Sequence, residues 1–432
     1  MRKSKKMLSA LTITTVLGLL AGACGSDDKK SESTSAATTA TTAAPTATTA
    51  GGTETTEATE TTAAGSETTE AGSETTEAGS ETTAAAGEGV ECKAGKPVVD
   101  ELPTLEADGK GTTIGLLFDV TGRGDKSFND AAAAGLDKAK ADFGIEGVES
   151  TPEAADGSDR PDRIEQVAGG AAKLTIGVGF LWQTDVQKAA KAYPDKDFAL
   201  IDSVAVDDND TPDDTSDDKP LDNVRSIVFA ANEGSFLVGV AAACASKTGN
   251  IGFIGGVEID LIKSFQAGFE AGVKYVNPDA KIEIKYLTQP PDFTGFNDST
   301  KGKSTAAAMY ASGIDVIYAA AGGSGKGLFE AATEAGKPGD VWAIGVDSDQ
   351  YLTVDPAQQP YILTSALKRV DVGTYEAIAA ELDGSFKSET VVYDLASGGI
   401  GYSASNPAID DYAGTIEEAK AAIIDGSIKV PG

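Results

Sequence analysis

The sequence of 432 residues contains no histidine, and cysteine is almost as scarce, with three residues. Without histidine, neither a Ser-His-Asp nor a Cys-His catalytic arrangement can form, and the common zinc ligand sets are lost as well. Positive charge is also limited, because 35 Lys and Arg face 67 Asp and Glu and leave a formal net charge of −32. A surface this acidic repels nucleic acid. We therefore expect no metal, no cofactor, no nucleic-acid partner and no histidine-dependent hydrolase.

The N-terminus has no apolar run of the roughly 20 residues that a membrane span needs. Residues 7–20 are apolar and follow four basic residues, which is typical of a bacterial export signal. Small residues then lead to Cys24, which resembles the acylated cysteine of a lipobox, although Leu20 lies one position further away than usual. We predict that residues 1–24 are a lipoprotein signal peptide and that Cys24 anchors the protein to the extracytoplasmic face of the cell membrane. Plain secretion is the alternative.

Residues 25–90 contain almost nothing that could form a core, since they consist mainly of Ser, Thr, Ala, Gly and Glu with a repeat at residues 65–71 and 72–78. This composition predicts a disordered tether with a reach of about 45 Å. Two cysteines, Cys92 and Cys244, remain beyond it. In an oxidising compartment they can form a disulfide, whereas the alternative is that Cys244, within a run of small residues, is a buried free thiol.

The rest of the chain is long enough for two lobes. Apolar runs alternate with Ala-rich stretches of helical character, which favours parallel sheets covered on both faces. These runs are residues 113–119, 174–180, 198–202, 224–230, 251–255, 282–287, 315–319, 341–346 and 362–367. We predict an α/β protein of two Rossmann-like lobes around a cleft, with residues 112–230 plus part of 370–432 in lobe 1 and residues 231–369 in lobe 2. The Asp-rich stretch at 206–218 lacks the Gly and Glu of a calcium loop and is interpreted as a solvated insertion.

The first apolar run ends at Asp119, and a loop with Gly122 and Gly124 then leads into a helix. In open α/β sheets, ligands bind at this end of the strands. Phe128 is an unusual loop residue but a good stacking surface for a flat ligand, and Asn129 beside it is polar. An ordinary strand-loop-helix unit is the alternative for this segment taken alone.

Other predicted strands also end in polar or aromatic residues, which are Phe180, Asp202, Asp347 and Lys368. Each alone could be a helix cap or a surface ion pair, but together they fall at the edge where a cleft is expected. The glycine-rich loop at 321–327 is no phosphate loop, because Gly327 follows Lys326 where Ser or Thr is required. Its glycines, including Gly322, favour close backbone approach to a neutral ligand. Carboxylates suit hydroxyl groups such as a ribose diol.

Eight motifs occur in order along residues 112–402, at 119–130, 177–180, 231–242, 248–256, 265–273, 321–327, 344–349 and 364–368. They closely resemble the BMP (basic membrane protein) family, lipoprotein substrate-binding components of ABC importers typified by purine nucleoside receptors. The resemblance implies a type I periplasmic-binding-protein fold. It implies no enzymatic activity, a nucleoside as ligand and an ABC permease as partner.

The resemblance also implies roles for individual residues. Phe128 would stack on the base, Asn129 and Asp119 would bond its edge, and Phe296 would supply the second ring, with Phe180 or Phe293 as further contributors. The ribose would be held by Asp202, Gly322, Asp347 and Lys368. Two departures from the family pattern are the loop at 121–124, which separates its two glycines, and the longer segment before Phe296.

We expect a lipid-anchored receptor that captures a nucleoside, with purines favoured, for import. A receptor for another small metabolite on the same fold and a signalling or surface-interaction module are the alternatives, and a nucleoside hydrolase is a remote one.

Overall fold

The computed structural model describes residues 89–99, 103–154, 157–209, 211 and 215–432. The predicted signal peptide, Cys24 and all but the last two residues of the predicted tether lie outside this part of the chain. The described residues form two α/β lobes, each built on a six-stranded sheet. No helix within the described ranges is sufficiently long and apolar to cross a membrane.

The strands of the described residues are β1 (Thr113–Leu117), β2 (Glu146–Ser150), β3 (Ala172–Val178), β4 (Asp197–Ile201), β5 (Val206–Asp207), β6 (Lys219–Pro220), β7 (Val224–Phe229), β8 (Asn250–Val257), β9 (Lys281–Thr288), β10 (Val316–Ala320), β11 (Trp342–Asp347), β12 (Ile362–Lys368), β13 (Thr390–Tyr393) and β14 (Ile400–Tyr402). The α-helices of the same residues are α1 (Phe128–Phe143), α2 (Arg160–Ala168), α3 (Gln183–Ala192), α4 (Ala231–Ala245), α5 (Asp260–Val276), α6 (Ser299–Ala311), α7 (Lys326–Ala335), α8 (Val370–Asp383) and α9 (Ala413–Ile424).

The two large sheets have equivalent strand orders and differ in the direction of one edge strand. Lobe 1 has the order β13-β7-β4-β3-β1-β2 and lobe 2 the order β14-β12-β11-β10-β8-β9. All neighbours pair in parallel except β14, which runs antiparallel to β12. The predicted fold class is confirmed, and each of the nine predicted apolar runs coincides with a strand. Consequently β4 in lobe 1 and β11 in lobe 2 occupy equivalent positions.

Five of the described strands were not predicted. Two of them, β5 and β6, form a separate two-stranded pair, and the other three, β2, β13 and β14, belong to the large sheets. Each of these last three strands lies at the outer edge of its sheet. In β2 the sequence Glu-Gly-Val-Glu-Ser is largely solvent-exposed, and β14 has only three residues. Such strands form because a neighbour offers free backbone groups rather than because their side chains need burial.

Helices cover both faces of each sheet. In lobe 1, Ile114 and Leu116 of β1 pack towards α1 and α8, whereas Leu117 points to the opposite face and packs near Trp182. In lobe 2, α4 and α5 approach so closely that a Cβ on Gly272 would lie 2.0 Å from the backbone oxygen of Phe236. This close packing fixes the position of α5, whose N-terminal turn faces the other lobe.

The chain crosses between the lobes after β7, after β12 and between β13 and β14. Backbone bonds tie these crossings together, from Ala230 N–H to the Tyr393 oxygen (2.8 Å) and from Arg369 N–H to the Gly399 oxygen (2.9 Å). Helix α8 and β13 therefore belong to lobe 1, and β14 and α9 to lobe 2. Lobe 2 thus extends beyond the predicted range 231–369 to include residues 400–432.

The residues before β1 contact both lobes. Cys92 forms a disulfide with Cys244 on α4, and the Lys93 backbone N–H donates to the Thr415 hydroxyl of α9 at 2.7 Å. Further along, the Leu105 N–H donates to the Tyr375 hydroxyl on α8 at 3.1 Å. The disulfide thus attaches the start of the described chain to lobe 2, and of the two alternatives for Cys244 the structure contains the bonded one.

We expect Cys92→Ser to lower the free energy of unfolding by about 2–5 kcal/mol, because the disulfide closes a loop of 152 residues and restricts the unfolded chain. Urea denaturation followed by circular dichroism measures this. Cys244→Ser and the double variant should lose the same amount, since the bond needs both sulfurs. Destabilisation by Cys244→Ser alone would contradict the prediction and indicate a packing role for a free thiol.

Candidate ligand-binding site

The carboxyl ends of the parallel strands of both lobes meet at a cavity, whose empty space together with the solvent at its mouth is about 610 Å³. The structure brings together at this cavity all nine residues predicted from the sequence, which are Asp119, Phe128, Asn129, Phe180, Asp202, Phe296, Gly322, Asp347 and Lys368. Most of the cavity lining comes from the ends of six strands, β1, β3, β4, β10, β11 and β12, and from helices α1 and α5. These elements therefore share one surface.

The loop between β1 and α1 is organised by Asp125, which sequence reasoning did not assign. Its carboxylate accepts the backbone N–H groups of Ser127 (2.9 Å) and Asn129 (2.8 Å) at the start of α1. The Asn129 side chain accepts the Asp119 N–H at 2.9 Å and donates to Thr121 Oγ1 (2.7 Å) and to Asp125 Oδ2 (3.0 Å). Both N–H bonds of the Asn129 amide are thus used inside the loop. Asn129 lines the cavity but primarily holds the loop that carries Asp119 and Phe128.

Asp119 lies two residues beyond the end of β1 and is only 8% exposed. Its Oδ1 accepts the Val120 N–H at 2.7 Å, and Arg160 Nη2 of α2 lies 3.8 Å from the same oxygen. Burial raises the pKa of Asp119 to about 6, while the Val120 N–H and the Arg160 charge act in the opposite direction. The other oxygen, Oδ2, lies against Gly179, where a Cβ would come within 2.7 Å of it. Only glycine fits there, which explains the residue at position 179 directly after β3.

Asp202 and Asp347 are equivalent residues of the two lobes, because they lie at the ends of β4 and β11. Both have left-handed backbones, with φ of 65° and 64°. Residues other than glycine rarely adopt this conformation, which costs about 1 kcal/mol or more. Here it turns each carboxylate into the cavity, one from each lobe. The repeated topology thus produces a pair of acceptors on opposite walls.

Lys368, at the end of β12, forms an ion pair with Asp202 across the cleft, and the two side chains are 3% and 5% exposed. Its ammonium also lies over the Phe128 ring (4.6 Å to the centroid) and near those of Phe229 (5.3 Å) and Phe265 (5.7 Å). The second oxygen of Asp202, Oδ1, is buried without a hydrogen-bond partner in the described part of the chain. A buried carboxylate with a free lone pair is a ready acceptor for a donor on a ligand.

Asp347 accepts a hydrogen bond from the Ser127 hydroxyl of the other lobe. Burial raises the pKa of Asp347 to about 6, and the positive charge of Lys368 opposes the increase. Further bonds join the lobes beside it, from the Ser348 hydroxyl to the Ser127 oxygen (3.0 Å) and from Gln350 Nε2 to the Lys126 oxygen (2.9 Å). The loop at the start of α1 is therefore held directly against the end of β11.

The apolar part of the cavity is formed by the rings of Phe128, Phe180, Phe265 and Phe296 and by Leu261 and Ile262. Phe293 does not line the cavity and instead packs edge-on against Phe180, with centroids 5.8 Å apart. Phe265 and its neighbours on α5 were not assigned from the sequence, because an apolar helix face looks the same whether it covers a core or a cavity. The adjacent backbone comes from Gly322, with φ of 53°.

The cavity thus combines flat apolar surfaces with four carboxylates, those of Asp119, Asp125, Asp202 and Asp347, and one ammonium group. Among the described residues, no group of three or more His, Cys, Asp or Glu is placed to hold a metal ion. Aromatic rings with a few convergent polar groups are typical of sites that bind small polar molecules. Two lobes with this topology, and such a cavity between them, define a solute-binding protein of the type I periplasmic class.

Residues 112–432 match the Bmp family, described as ABC transporter substrate-binding protein PnrA-like, and the chain belongs to this family. It is therefore an ABC transporter substrate-binding protein, and the resemblance inferred from the motifs is confirmed. Such proteins bind a small-molecule ligand and a permease, and the relatives reported below carry names of binding proteins and antigens rather than of enzymes.

The chain is 36% identical to the ABC transporter nucleoside-binding protein BmpA of Lactococcus lactis subsp. cremoris, over 73% of this chain and 88% of that protein. It is also 36% identical to the CD4+ T-cell-stimulating antigen of Listeria monocytogenes, over 74% and 88% of the two chains. Among solved structures, an ABC transporter solute-binding protein from Aeropyrum pernix superposes with a TM-score of 0.63 at 31% identity, covering 74% of this chain and 94% of that one.

The raised pKa of Asp119 predicts a signed effect on stability. The folded-state pKa of about 6 exceeds the ordinary value of 3.8. Ionisation of Asp119 therefore begins to oppose folding as the pH rises above 3.8, and the effect is complete above about 6. We expect Asp119→Asn to be more stable than the wild type by about 1–3 kcal/mol at pH 7, with no advantage near pH 4. Urea denaturation across this pH range measures the difference. A pH-independent gain, or a loss at neutral pH, would contradict it.

Proposed function

We propose that the protein captures a nucleoside, with purines favoured, on the extracytoplasmic face of the cell and delivers it to an ABC permease. The observation that carries this proposal is that one cavity combines aromatic rings with buried carboxylates and an ammonium group. The rings and Asp119 suit a flat base, and Asp202, Asp347 and Lys368 suit a hydroxyl-rich ribose. A nucleoside contains both parts. The relative BmpA, whose name describes a nucleoside-binding protein, supports the proposal.

In this proposal the base stacks on Phe128, with Phe296 of lobe 2 as the second ring and Phe180 at the rim. Base stacking on aromatic rings contributes about 1–3 kcal/mol per base. Asp119, as an ionised acceptor, bonds an N–H on the edge of the base. Asn129 contributes through the loop that it holds in place and offers the remaining lone pair of its oxygen.

The ribose hydroxyls bond to Asp202 and Asp347, which approach from opposite lobes, with the backbone at Gly322 allowing close contact. An ionised carboxylate can accept two hydroxyl protons, as a vicinal diol requires. Lys368 donates to a ribose oxygen while keeping its contact with Asp202. Each lobe thus supplies both a ring and a carboxylate, so the ligand joins the two lobes.

The proposed location rests on the N-terminal sequence and on the family. Cys24 is the proposed lipid attachment, and residues 25–90 are the proposed tether between the membrane and the two lobes. A reach of about 45 Å allows a membrane-attached receptor to meet a permease in the same membrane. Several related proteins are themselves named lipoproteins, including one from Pyrococcus abyssi.

A ligand panel tests the proposal directly. We expect adenosine, guanosine or inosine to raise the melting temperature, since a ligand at 100 times its dissociation constant adds about 2.7 kcal/mol of stability. Differential scanning fluorimetry with sugars and amino acids as comparison ligands measures this. A shift with one of those and none with any nucleoside would instead support a receptor for another metabolite. Release of hypoxanthine from inosine would indicate a hydrolase.

Phe128→Ala should weaken nucleoside binding by about 1–3 kcal/mol, because the base loses its stacking surface. Isothermal titration calorimetry measures the change. Phe386→Ala is a matched control, since Phe386 is also half-buried and packs against the same core of lobe 1, but does not line the cavity. The control should lose stability and keep its affinity. Equal affinities of Phe128→Ala and wild type would refute the stacking role.

A further inference from the structure

We propose that Arg160 is a positioning residue that keeps Asp119 an ionised, correctly oriented acceptor for the ligand. The inference rests on the proposed function, in which Asp119 accepts an N–H from a base. Arg160 is not part of the cavity lining, and it was not assigned from the sequence. Arg160 lies outside the cavity and acts on Asp119 in two ways. Its charge attracts the carboxylate, and its side chain packs against the residues that hold the end of β1.

Arg160 is the first residue of α2 and is itself buried, with 9% of its surface exposed. Its Nη2 lies 3.8 Å from Asp119 Oδ1, and both side chains are about nine-tenths buried. Its Nε has no hydrogen-bond partner within the described residues. A buried guanidinium that lacks a hydrogen-bond partner destabilises the folded state. We attribute its presence here to the electrostatic attraction between its charge and Asp119.

Trp182 connects Arg160 to the backbone that carries Asp119. The guanidinium carbon lies 5.9 Å from the Trp182 ring centroid, and the indole Nε1–H of this fully buried residue donates to the Phe118 oxygen at 3.0 Å. Phe118 directly precedes Asp119. Gly157 leaves the space that the guanidinium occupies, because a Cβ there would lie 2.1 Å from Arg160 Nη1. Arg160 therefore packs against the indole that fixes the end of β1.

The other charged groups near Asp119 make this single cation important. Asp125 from the loop and Asp202 from the end of β4 both face Asp119 and favour its protonated form, in the same direction as burial. The nearby ammonium of Lys368 is paired with Asp202. Arg160 also faces Asp185 of α3, where its charge opposes the increase in pKa that burial causes. Arg160 is thus the cation that directly favours the ionised form of Asp119.

The test uses Arg160→Met, which removes the charge and keeps an apolar side chain against Trp182. An opposite charge at this distance typically lowers a carboxyl pKa by roughly one pH unit or more. We expect the pKa of Asp119, followed by carbon-13 NMR on Asp-labelled protein without ligand and assigned with Asp119→Asn, to rise by that amount. An unchanged pKa would overturn the inference. This readout does not depend on whether a nucleoside binds.

Affinity is the second readout, with adenosine, guanosine and inosine as probes. At pH 7, Arg160→Met should bind about two- to tenfold more weakly, because a smaller fraction of Asp119 is ionised, and the loss should shrink towards about pH 8.5. In the Asp119→Asn background, Arg160→Met should have no further effect. A loss that is independent of pH, or that persists in that background, would overturn the inference. Failure of every nucleoside to bind wild type would refute the proposed function alone.

Two further variants separate charge from folding. Arg163→Met, three residues along the same helix, removes a guanidinium that pairs with Glu153 and Asp159 away from the cavity, and it should leave both readouts unchanged. Arg160→Lys retains the charge and should recover most of the affinity at pH 7. If Arg160→Lys binds as weakly as Arg160→Met while both remain folded by circular dichroism, the charge has no role and the inference is wrong.

Discussion

The desolvation of carboxylates between the lobes is the constraint on which the rest of this structure depends. Asp119 and Asp347 are less than one-tenth exposed, and the Asp202 side chain is equally buried. An unpaired buried charge costs several kcal/mol, so each carboxylate needs compensation from its surroundings. Asp119 has the Val120 N–H and Arg160, Asp202 has Lys368, and Asp347 has the Ser127 hydroxyl. These partners come from both lobes, so the charges define how the lobes meet.

Much of this arrangement follows from the sequence, because the strands are buried on both faces. A strand such as β11 reads as a continuous apolar run, and the polar residue at which it stops, Asp347, must lie at the edge of the sheet. The same holds for Asp119, Asp202 and Lys368. These residues could be recognised because a charged group at the end of a buried strand is an exception to its surroundings. Their convergence on one cavity also required two lobes of matching topology.

Other parts could not be predicted, for reasons that are equally physical. Phe265 lies on an amphipathic helix whose apolar face has the same spacing whether it covers a core or a cavity. Asp125 resembles any loop carboxylate until the three-dimensional loop shows that it accepts the N–H groups at the start of α1. Arg160 stands more than forty positions from Asp119 in the sequence, and no local pattern links them. The edge strands β2 and β14 are specified by their neighbours more than by their own residues.

The charge of the whole chain and the charges of the cavity act over different distances. The net charge of −32 keeps anions away from the surface, but this effect is screened beyond about 8–10 Å at physiological ionic strength. Inside the cleft, screening is weak, and only the local pairs matter. The buried basic residues of the described chain are Arg160, Lys368 and Lys420, and the first two contact carboxylates of the cavity. With these two cations already engaged by Asp119 and Asp202, the described residues of the cleft offer no unpaired positive charge to compensate an anion. Its remaining acceptors, including Asp202 Oδ1, suit a ligand that is neutral and rich in hydrogen-bond donors.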